Sequence, residues 1–269
     1  MYLVTAVKGK TSSRVARMMD EKGITYRGVS RSSDIPFDWY DPSTWDKALE
    51  GIKAAYLVFL PDLAVPGSIE IITAFTELAK KKGVEKLVLL SGRGEEEAQK
   101  CEQIVLNCGI ASTVVRASWF AQNFSEYFWQ PEVLRGKITI PENHTKEAFI
   151  DIDDIAEVAF ASLTEDGHEG KIYEVSGPEL LSFDDIARKF SEGLGRKVHI
   201  DHVSMDEFKQ GLTQAHVPND VVDLLEYLFA EVLDGRNAYI STGVEEALGR
   251  PATSFTEFIN KTKSTGVWA

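Results

Sequence analysis

The 269-residue chain has little cysteine and no long apolar run. Its two cysteines, Cys101 and Cys108, lie seven residues apart in a predicted helix, too far along the axis for an unstrained disulfide, so we expect two reduced thiols. No CxxC pair or Cys/His cluster is present, and the sequence therefore predicts no metal site. No apolar stretch approaches the roughly 18 residues that a membrane-spanning helix needs. These absences favour a protein without disulfide, metal or membrane span.

Basic residues are in the minority. The chain has 29 lysines and arginines against 42 aspartates and glutamates, and its formal net charge is -13. Such a charge repels phosphate backbones and anionic lipid, so neither nucleic acid nor a membrane surface is an expected partner. The first predicted strand begins at residue 2 with no targeting pattern before it. We therefore expect a soluble cytoplasmic protein whose partner is a small-molecule substrate.

What the chain does contain is a regular alternation of apolar strands and helical patterns. Residues 54–60 form an almost continuous apolar run, typical of a strand buried on both faces of a parallel sheet. Further strands are predicted at residues 2–5, 26–30, 37–39, 86–91, 112–116, 137–140, 171–175 and 197–203. After a first helix that ends at Gly23, helices are predicted at residues 41–50, 68–82, 95–108, 183–194, 205–215, 218–233, 244–248 and 254–263. Residues 148–155 lead into a further helix that ends near residue 164.

The order of these segments indicates an α/β fold. Strands that alternate with helices at this spacing predict a Rossmann-like, doubly wound parallel sheet, which we assign to residues 1–175. From about residue 176 the chain is mostly helical. Residues 176–269 are predicted to form a small, mostly helical C-terminal substrate lobe at the carboxyl edge of the sheet, where ligands bind in such folds.

The turn after the first strand resembles a phosphate-binding turn that has lost glycines. Glycines there allow a tight turn, close approach of the pyrophosphate and helix–strand contact. Only Gly9 remains, because Ala6 and Ser12 occupy two glycine-like places, and we expect Ala6 to be tolerated only at negative φ. A helix N-terminus, a cation and a hydroxyl favour an anion, so Gly9, Lys10 and Thr11 are predicted cofactor-binding residues. The alternative is a turn that no longer binds a dinucleotide.

Arg31, Ser32 and Ser33 follow the second predicted strand. Folds that bind NAD usually place an acid near this position to accept the ribose hydroxyls, whereas an arginine suits the 2′-phosphate of NADP. The three residues therefore predict NADP as the cofactor. Asp38 has two interpretations: it faces the adenine amino group, or it caps a turn.

The ends of the strands predicted at residues 54–60 and 86–91 are expected to lie beside the nicotinamide, through Leu60, Pro61 and Ser91. Many nicotinamide-dependent dehydrogenases carry a Tyr-x-x-x-Lys pair in the following helix. Residues 95–108 contain no tyrosine, and the three glutamates at 95–97 are interpreted as an acidic first turn that complements the helix dipole. Either no alcohol is oxidised, or the proton comes from elsewhere, or the electrophile is one that needs no acid.

Four residues are predicted to bind substrate. Trp119 and Phe120 follow the strand predicted at residues 112–116. They either stack on a planar substrate or pack beneath the lobe. Asn123 is predicted to orient a carbonyl group, and Arg93 is the fourth predicted contact.

The other polar clusters are predicted to be structural. Asp151, Asp153 and Asp154 indicate a capped helix start rather than a metal site. None of the histidines stands beside a serine or cysteine, so solvated or packed histidines are expected. They are His144, His168, His199, His202 and His216.

Several of these motifs together resemble the NmrA-like branch of atypical short-chain dehydrogenases. The matching stretches are residues 5–11, 31–33, 37–39, 89–94, 116–124, 227–237, 249–251 and 254–255. The chain is most similar to bacterial relatives of ergot-alkaloid dehydrogenases, which reduce a cyclic iminium with NADPH. The resemblance implies an extended Rossmann core, NADP(H) and no Tyr-x-x-x-Lys pair. The turn of that family reads Thr-Gly-Ala-Thr-Gly-Lys-Thr-Gly, whereas alanine, valine, lysine and serine replace four residues of that pattern here.

These observations predict an NADPH-dependent reductase of a small planar electrophile, such as an iminium or a quinone. Two alternatives stay open. One is an NADP-sensing regulatory protein without turnover, and the other is a non-redox isomerase or cyclase on the same fold. The NmrA-like resemblance allows for both, because that family includes redox sensors and proteins that catalyse non-redox cyclisation.

Overall fold

The computed structural model describes all 269 residues and is built on one six-stranded parallel sheet. The strands are β1 (Tyr2–Val4), β2 (Tyr26–Gly28), β3 (Ala54–Leu57), β4 (Lys86–Gly92), β5 (Ala111–Ala117), β6 (Lys137–Pro141), β7 (Ile172–Val175) and β8 (His199–Val203). The main sheet has the order β2-β1-β3-β4-β5-β7, with every neighbouring pair parallel, and β6 and β8 form a separate parallel pair. The strand order reverses between β1 and β3, so the predicted Rossmann-like sheet is confirmed.

Eleven α-helices accompany the strands. They are α1 (Lys10–Glu21), α2 (Trp45–Leu49), α3 (Ser68–Lys81), α4 (Glu96–Asn107), α5 (Gln130–Arg135), α6 (Ile152–Thr164), α7 (Phe183–Leu194), α8 (Met205–Gln214), α9 (Asn219–Tyr227), α10 (Gly243–Leu248) and α11 (Phe255–Lys263). A π-helical turn, Leu228–Val232, follows α9. None of the helices combines the length and apolar character that crossing a membrane requires.

Local sequence signals explain several of the helix ends. The first helix turn of α7 is closed by a reciprocal capping box between Ser182 and Asp185, and α8 and α11 begin in the same way. At the other end of a helix, α3 finishes on Lys80 and Lys81, and Gly83 follows at φ +78°. Cations in the last turn and a glycine beyond it are the pattern that predicted this end.

The central strands are buried on both faces, as their apolar runs predicted. All four residues of β3 are buried. Leu3, Leu57 and Leu89 join one hydrophobic cluster with residues of α2, α3 and α4. A second group of helices, α1, α6 and α10, packs together and contacts the sheet through α6 and α10. Helices therefore flank the sheet in the arrangement that parallel strands require.

The chain divides into two compact units. The first unit comprises Met1–Ala117, Ile152–Val175 and Thr242–Arg250, and the second comprises Ser118–Asp151, Ser176–Ser241 and Pro251–Ala269. A single boundary at residue 175 therefore does not describe the division. The second unit already begins after β5, and α10, which we had assigned to the lobe, packs on β7 and α6 of the first unit. Gly243 explains this packing, because a Cβ at that position would collide with the backbone of Glu174 in β7.

The second unit has its own aromatic core. Phe124 and Trp129 are fully buried and stacked, with ring centroids 4.7 Å apart. Phe183 packs edge-on against Trp129 at 5.5 Å. The strand predicted at residues 137–140 lies here as β6, where it pairs with β8.

One predicted strand is wrong. Residues 37–39 make no ladder: beside a backbone hydrogen bond from Phe37 N to the Ser30 carbonyl, two indole groups hold this segment. Trp39 Nε1 donates to the Val58 carbonyl at 2.9 Å, and Trp45 Nε1 donates to the Asp38 carbonyl at 2.8 Å. The alternation of large apolar residues that predicted a strand instead fills an aromatic cluster around Phe75.

Candidate functional site

The turn between β1 and α1 is tight and ends at an open helix N-terminus. Gly9 N donates to the Ala6 carbonyl at 2.6 Å, and a Cβ at Gly9 would lie 3.0 Å from that oxygen. Gly9 is also the N-cap of α1, where no side chain caps the helix and no acid stands in the first turn. Backbone N–H groups at such an end favour an anion. Thr11 and Ser12 are buried beneath the turn, and Lys10 is half-buried at the first helical position.

Ala6 is the strained residue of the turn. Its φ is +48°, so the expectation of a negative φ is wrong. The left-handed conformation costs a non-glycine residue roughly 1–2 kcal/mol. The tight backbone bond from Gly9 holds this alanine in a glycine-like conformation, and Ala6 is buried at 6% exposure. The chain therefore retains the shape of a phosphate-binding turn although it has lost a glycine.

The predicted NADP-selecting residues lie beside this turn. Val7 N donates to the Val29 carbonyl at 3.1 Å, which joins the turn to the end of β2. Lys8 Nζ donates to Ser32 Oγ at 2.8 Å. Arg31 and Ser32 are exposed, so a guanidinium, an ammonium and a hydroxyl are presented together. That donor set suits a phosphate dianion. Lys8 was not among the predicted site residues, because only the folded turn brings it to Ser32.

Ser33 and Asp38 have local roles. Ser33 Oγ lies 2.8 Å from Ser30 Oγ, and its backbone N–H donates to the Ser30 carbonyl, so this hydroxyl shapes the bend after β2. Asp38 Oδ1 accepts from Tyr40 N at 3.0 Å. This contact supports the turn-capping interpretation of Asp38.

The ends of β3 and β4 carry a network of buried ionic groups. Leu60 and Pro61, joined by a cis peptide bond, are exposed after β3. Ser91, in β4, is buried, and its hydroxyl donates to Glu102 Oε1 at 2.7 Å. The hydroxyl of Ser91 is therefore directed at a protein carboxylate. Arg116 Nε donates to the same carboxylate at 2.9 Å, and this contact raises the pKa of the guanidinium.

Glu95 is the residue that sequence reasoning placed wrongly. Glu96 is a solvated first-turn acid paired with Lys100, as predicted, but Glu95 is only 6% exposed. Its carboxylate folds over Gly92, where a Cβ would collide with it. Glu95 also forms a side-chain hydrogen bond with Asp62, which follows Pro61.

Burial raises the pKa of both acids of this pair. Burial, together with the neighbouring Asp62 carboxylate, raises the pKa of Glu95 well above its ordinary value. Asp62 accepts the hydrogen bond and also accepts from Ala64 N at 2.9 Å. The pair links the loops that follow β3 and β4, which are the loops predicted to lie beside the nicotinamide. No sequence signal marks Glu95 apart from the two glutamates that follow it.

Arg93 is buried at 4% exposure rather than presented as an open substrate contact. Its backbone N–H donates to the Ala117 carbonyl at 3.0 Å, and its guanidinium lies 3.5 Å from Glu174. Glu174 also meets Arg116, at 3.4 Å. These contacts give Arg93 a structural role in tying β4 to β5 and β7.

The predicted substrate contacts Trp119, Phe120 and Asn123 lie in the second unit. Trp119 is half-buried and meets Phe229 edge-on at 5.2 Å, so the packing interpretation accounts for part of its surface. Phe120 is half-buried and forms a β-bridge with Ile150. Asn123 is half-buried in a short 3₁₀ turn.

The acidic residues at the start of α6 make contacts with other residues of the chain. Asp151 accepts from Gln122, Asp153 pairs with Arg14, and Asp154 lies 2.8 Å from Arg250.

The cysteines are free, with Cys101 buried and Cys108 half-buried, and so confirm the expectation of reduced thiols. Two histidines depart from the expected scatter: His144 and His202 lie side by side, with ring centroids 5.2 Å apart.

The order of the strands, with the turn between β1 and α1 at the switch point, defines the class: a Rossmann-type α/β protein. Solved structures with this fold include the NADPH-dependent quinone oxidoreductase QOR2 from Escherichia coli, with a TM-score of 0.82 and 20% sequence identity. The match covers 97% of this chain and 99% of that one.

Sequence comparison then identifies the family. The model of the NmrA-like family matches residues 35–260, and the chain belongs to that family. It is 30% identical to agroclavine dehydrogenase of Claviceps fusiformis, over 99% of this chain and 98% of the relative. It is 29% identical to an NAD(P)H azoreductase of Xenophilus azovorans, over 96% of both. The predicted NmrA-like resemblance is thereby confirmed.

Proposed function

We propose that this protein is an NADPH-dependent reductase of a small planar electrophile, of the iminium or quinone type. The observation that carries the proposal is the contact between Lys8 and Ser32 beside Arg31, next to the uncapped N-terminus of α1. The N-terminus of α1 suits a pyrophosphate, and the group of Lys8, Arg31 and Ser32 suits a 2′-phosphate. The relatives support it, because their names describe a dehydrogenase and an NAD(P)H azoreductase, and the structural neighbour is an NADPH-dependent quinone oxidoreductase.

The residues present fit the cofactor in charge and in shape. Gly9 leaves the turn open to a phosphate, and Ala6 keeps the left-handed conformation that a glycine would adopt. Bound NADPH would supply the hydride. The Gly9 turn and Arg31 would bind the phosphates of the cofactor. The acid pair of Asp62 and Glu95 would hold the loops after β3 and β4 in place.

Helix α4 offers no phenol for an alcohol/ketone proton relay. Helix α4 contains no tyrosine, its one lysine, Lys100, pairs with Glu96, and the hydroxyl of Ser91 donates to Glu102. An iminium accepts hydride and becomes an amine without a proton donor, and a quinone becomes a hydroquinone anion that takes its proton from water. We propose Trp119, Phe120 and Asn123 as the substrate contacts of the second unit.

Fluorescence titrations with NADPH and NADH test the cofactor part of the proposal. We expect NADPH to bind more tightly than NADH, and Arg31→Ala to weaken NADPH binding by about tenfold while leaving NADH unchanged, since a hydrogen bond to a charged group contributes roughly 1.5–3 kcal/mol. Arg17→Ala is the matched control, because Arg17 is an exposed arginine of α1 paired with Glu21. Equal loss for both dinucleotides, or binding of neither below millimolar concentration, would contradict the proposal.

A regulatory protein without turnover is the second candidate, and the strained Ala6 turn favours it. In that case NADPH would bind with the same Arg31 dependence, but no iminium or quinone would oxidise it. Steady oxidation of NADPH by any member of such a panel excludes this second function.

A further inference from the structure

Two histidines far apart in the sequence meet in the second unit. His202 lies in β8, opposite Ile140 of its neighbour β6, and His144 lies in the loop that follows β6. The parallel pairing of the two strands brings the imidazole rings to a centroid distance of 5.2 Å.

Two carboxylates approach these rings. Asp184, in the first turn of α7, has Oδ1 3.6 Å from His202 Nε2. Glu142 Oε1 lies 3.8 Å from His144 Nε2. Both distances are longer than a hydrogen bond, so the imidazoles and the carboxylates lie close together without hydrogen-bonding to one another. One ligand atom from each of His144, Asp184 and His202 lies within 4.8 Å of the other two.

We propose that His144, Asp184 and His202, with Glu142 as a fourth ligand, bind a divalent transition-metal ion of the zinc type. Imidazole nitrogen suits zinc, copper and nickel, whereas calcium and magnesium prefer oxygen ligands alone. Two neutral imidazoles and two carboxylates balance the charge of one divalent ion, and four such ligands satisfy a tetrahedral zinc site.

The geometry is close to the one that zinc needs. Zinc–ligand bonds of about 2.0–2.1 Å place tetrahedral ligand atoms about 3.3 Å apart, so the present spacings shorten only modestly on binding. His144, Asp184 and Glu142 have side chains that are 64–76% exposed and free to rotate, whereas His202 is 25% exposed. His202 Nδ1 is buried without a hydrogen-bond partner, which leaves Nε2 as the nitrogen that faces Asp184.

The ion would fasten three elements of the second unit to one another. His202 belongs to β8, Asp184 to α7, and Glu142 and His144 to the loop after β6. Binding to the folded state alone raises the unfolding temperature, by an amount that grows with the metal concentration relative to the dissociation constant. We therefore expect a structural site that stabilises this unit.

Cobalt(II) titration of the full-length, untagged protein, first treated with a chelator, tests the proposal. We expect one equivalent to bind with the visible bands of tetrahedral cobalt, zinc to displace it, and zinc to raise the melting temperature. Magnesium and calcium should have no effect. His202→Ala and Asp184→Asn should weaken cobalt binding by at least about tenfold, because even an outer contact of a metal site commonly contributes that much.

His199→Ala is the matched control. His199 is an exposed histidine at the other end of β8, and its removal should leave cobalt affinity unchanged. Circular dichroism of each variant establishes that it is folded. Equal cobalt affinity of the His199 and His202 variants, an octahedral spectrum, or no binding below millimolar cobalt would overturn the assignment.

Discussion

Replacing Glu95 with glutamine should change how the free energy of unfolding depends on pH. In the folded protein Glu95 is buried beside Asp62, and burial raises the pKa of its carboxyl well above the ordinary value. Glutamine has nearly the same shape, and its amide still donates to Asp62. The variant therefore removes the titration while preserving the hydrogen bond.

The sign follows from the raised pKa. Between the pKa of an unfolded glutamate, about 4.3, and the higher folded value, the folded state binds one more proton than the unfolded state. The contribution of Glu95 to stability is therefore complete below the unfolded value and is lost as pH rises toward the folded one. Within that window the wild type loses about 1.4 kcal/mol for each pH unit, relative to Glu95→Gln.

Urea unfolding from pH 5 upward measures this difference. The stability curves of the wild type and Glu95→Gln should diverge as pH rises, with the variant becoming the more stable. The neighbouring substitution Glu96→Gln is the control, since Glu96 is fully exposed and Lys100 lowers its pKa. Its curve should stay parallel to that of the wild type in this range. Parallel curves for the wild type and Glu95→Gln would contradict the raised pKa of the buried Glu95 carboxyl.

Three substitutions test the packing around the site. Ala6→Gly should stabilise the protein by less than about 1 kcal/mol, because relief of the left-handed strain of roughly 1–2 kcal/mol exceeds the added freedom of the unfolded chain. Destabilisation in urea similar to that of Ala16→Gly, within α1, would contradict this. Gly92→Ala should displace the Glu95 carboxylate and reduce the pH dependence described above; an unchanged pH dependence would show that the collision is absent. Trp129→Ala should cost about 3–5 kcal/mol in chemical denaturation, since the ring is fully buried, and a loss below 1 kcal/mol would contradict the aromatic core.

Much of the fold could be predicted from the sequence because its signals are local. The apolar run that contains β3, the lysines and glycine that end α3 and the serine caps of the later helices each depend on neighbours in the chain. The strand predicted around Trp39 failed because the large side chains of this segment reach distant partners, such as the Val58 carbonyl, and the segment forms no strand ladder. The place of α10 was missed because it depends on the close approach of Gly243 to β7.

The candidate site divides along the same line. The places of Gly9 and Arg31 in the fold could be predicted, because each follows a strand that the local sequence marks. Lys8 and Asp62 could not, since their roles depend on contacts across the sheet edge. The burial of Glu95 could not be predicted either, because nothing in a run of three glutamates distinguishes the buried one.

Hydride transfer is the central claim, and isotope transfer tests it most directly. The protein is incubated with a quinone or a cyclic iminium and with NADPH that carries deuterium at both C4 positions, and the product is analysed by mass spectrometry. With the iminium, we predict one deuterium at the reduced carbon, together with one oxidised cofactor for each product molecule. With the quinone, the same stoichiometry is expected, although deuterium on oxygen exchanges with water. Unlabelled amine, or product formed without cofactor oxidation, would contradict the proposed reductase.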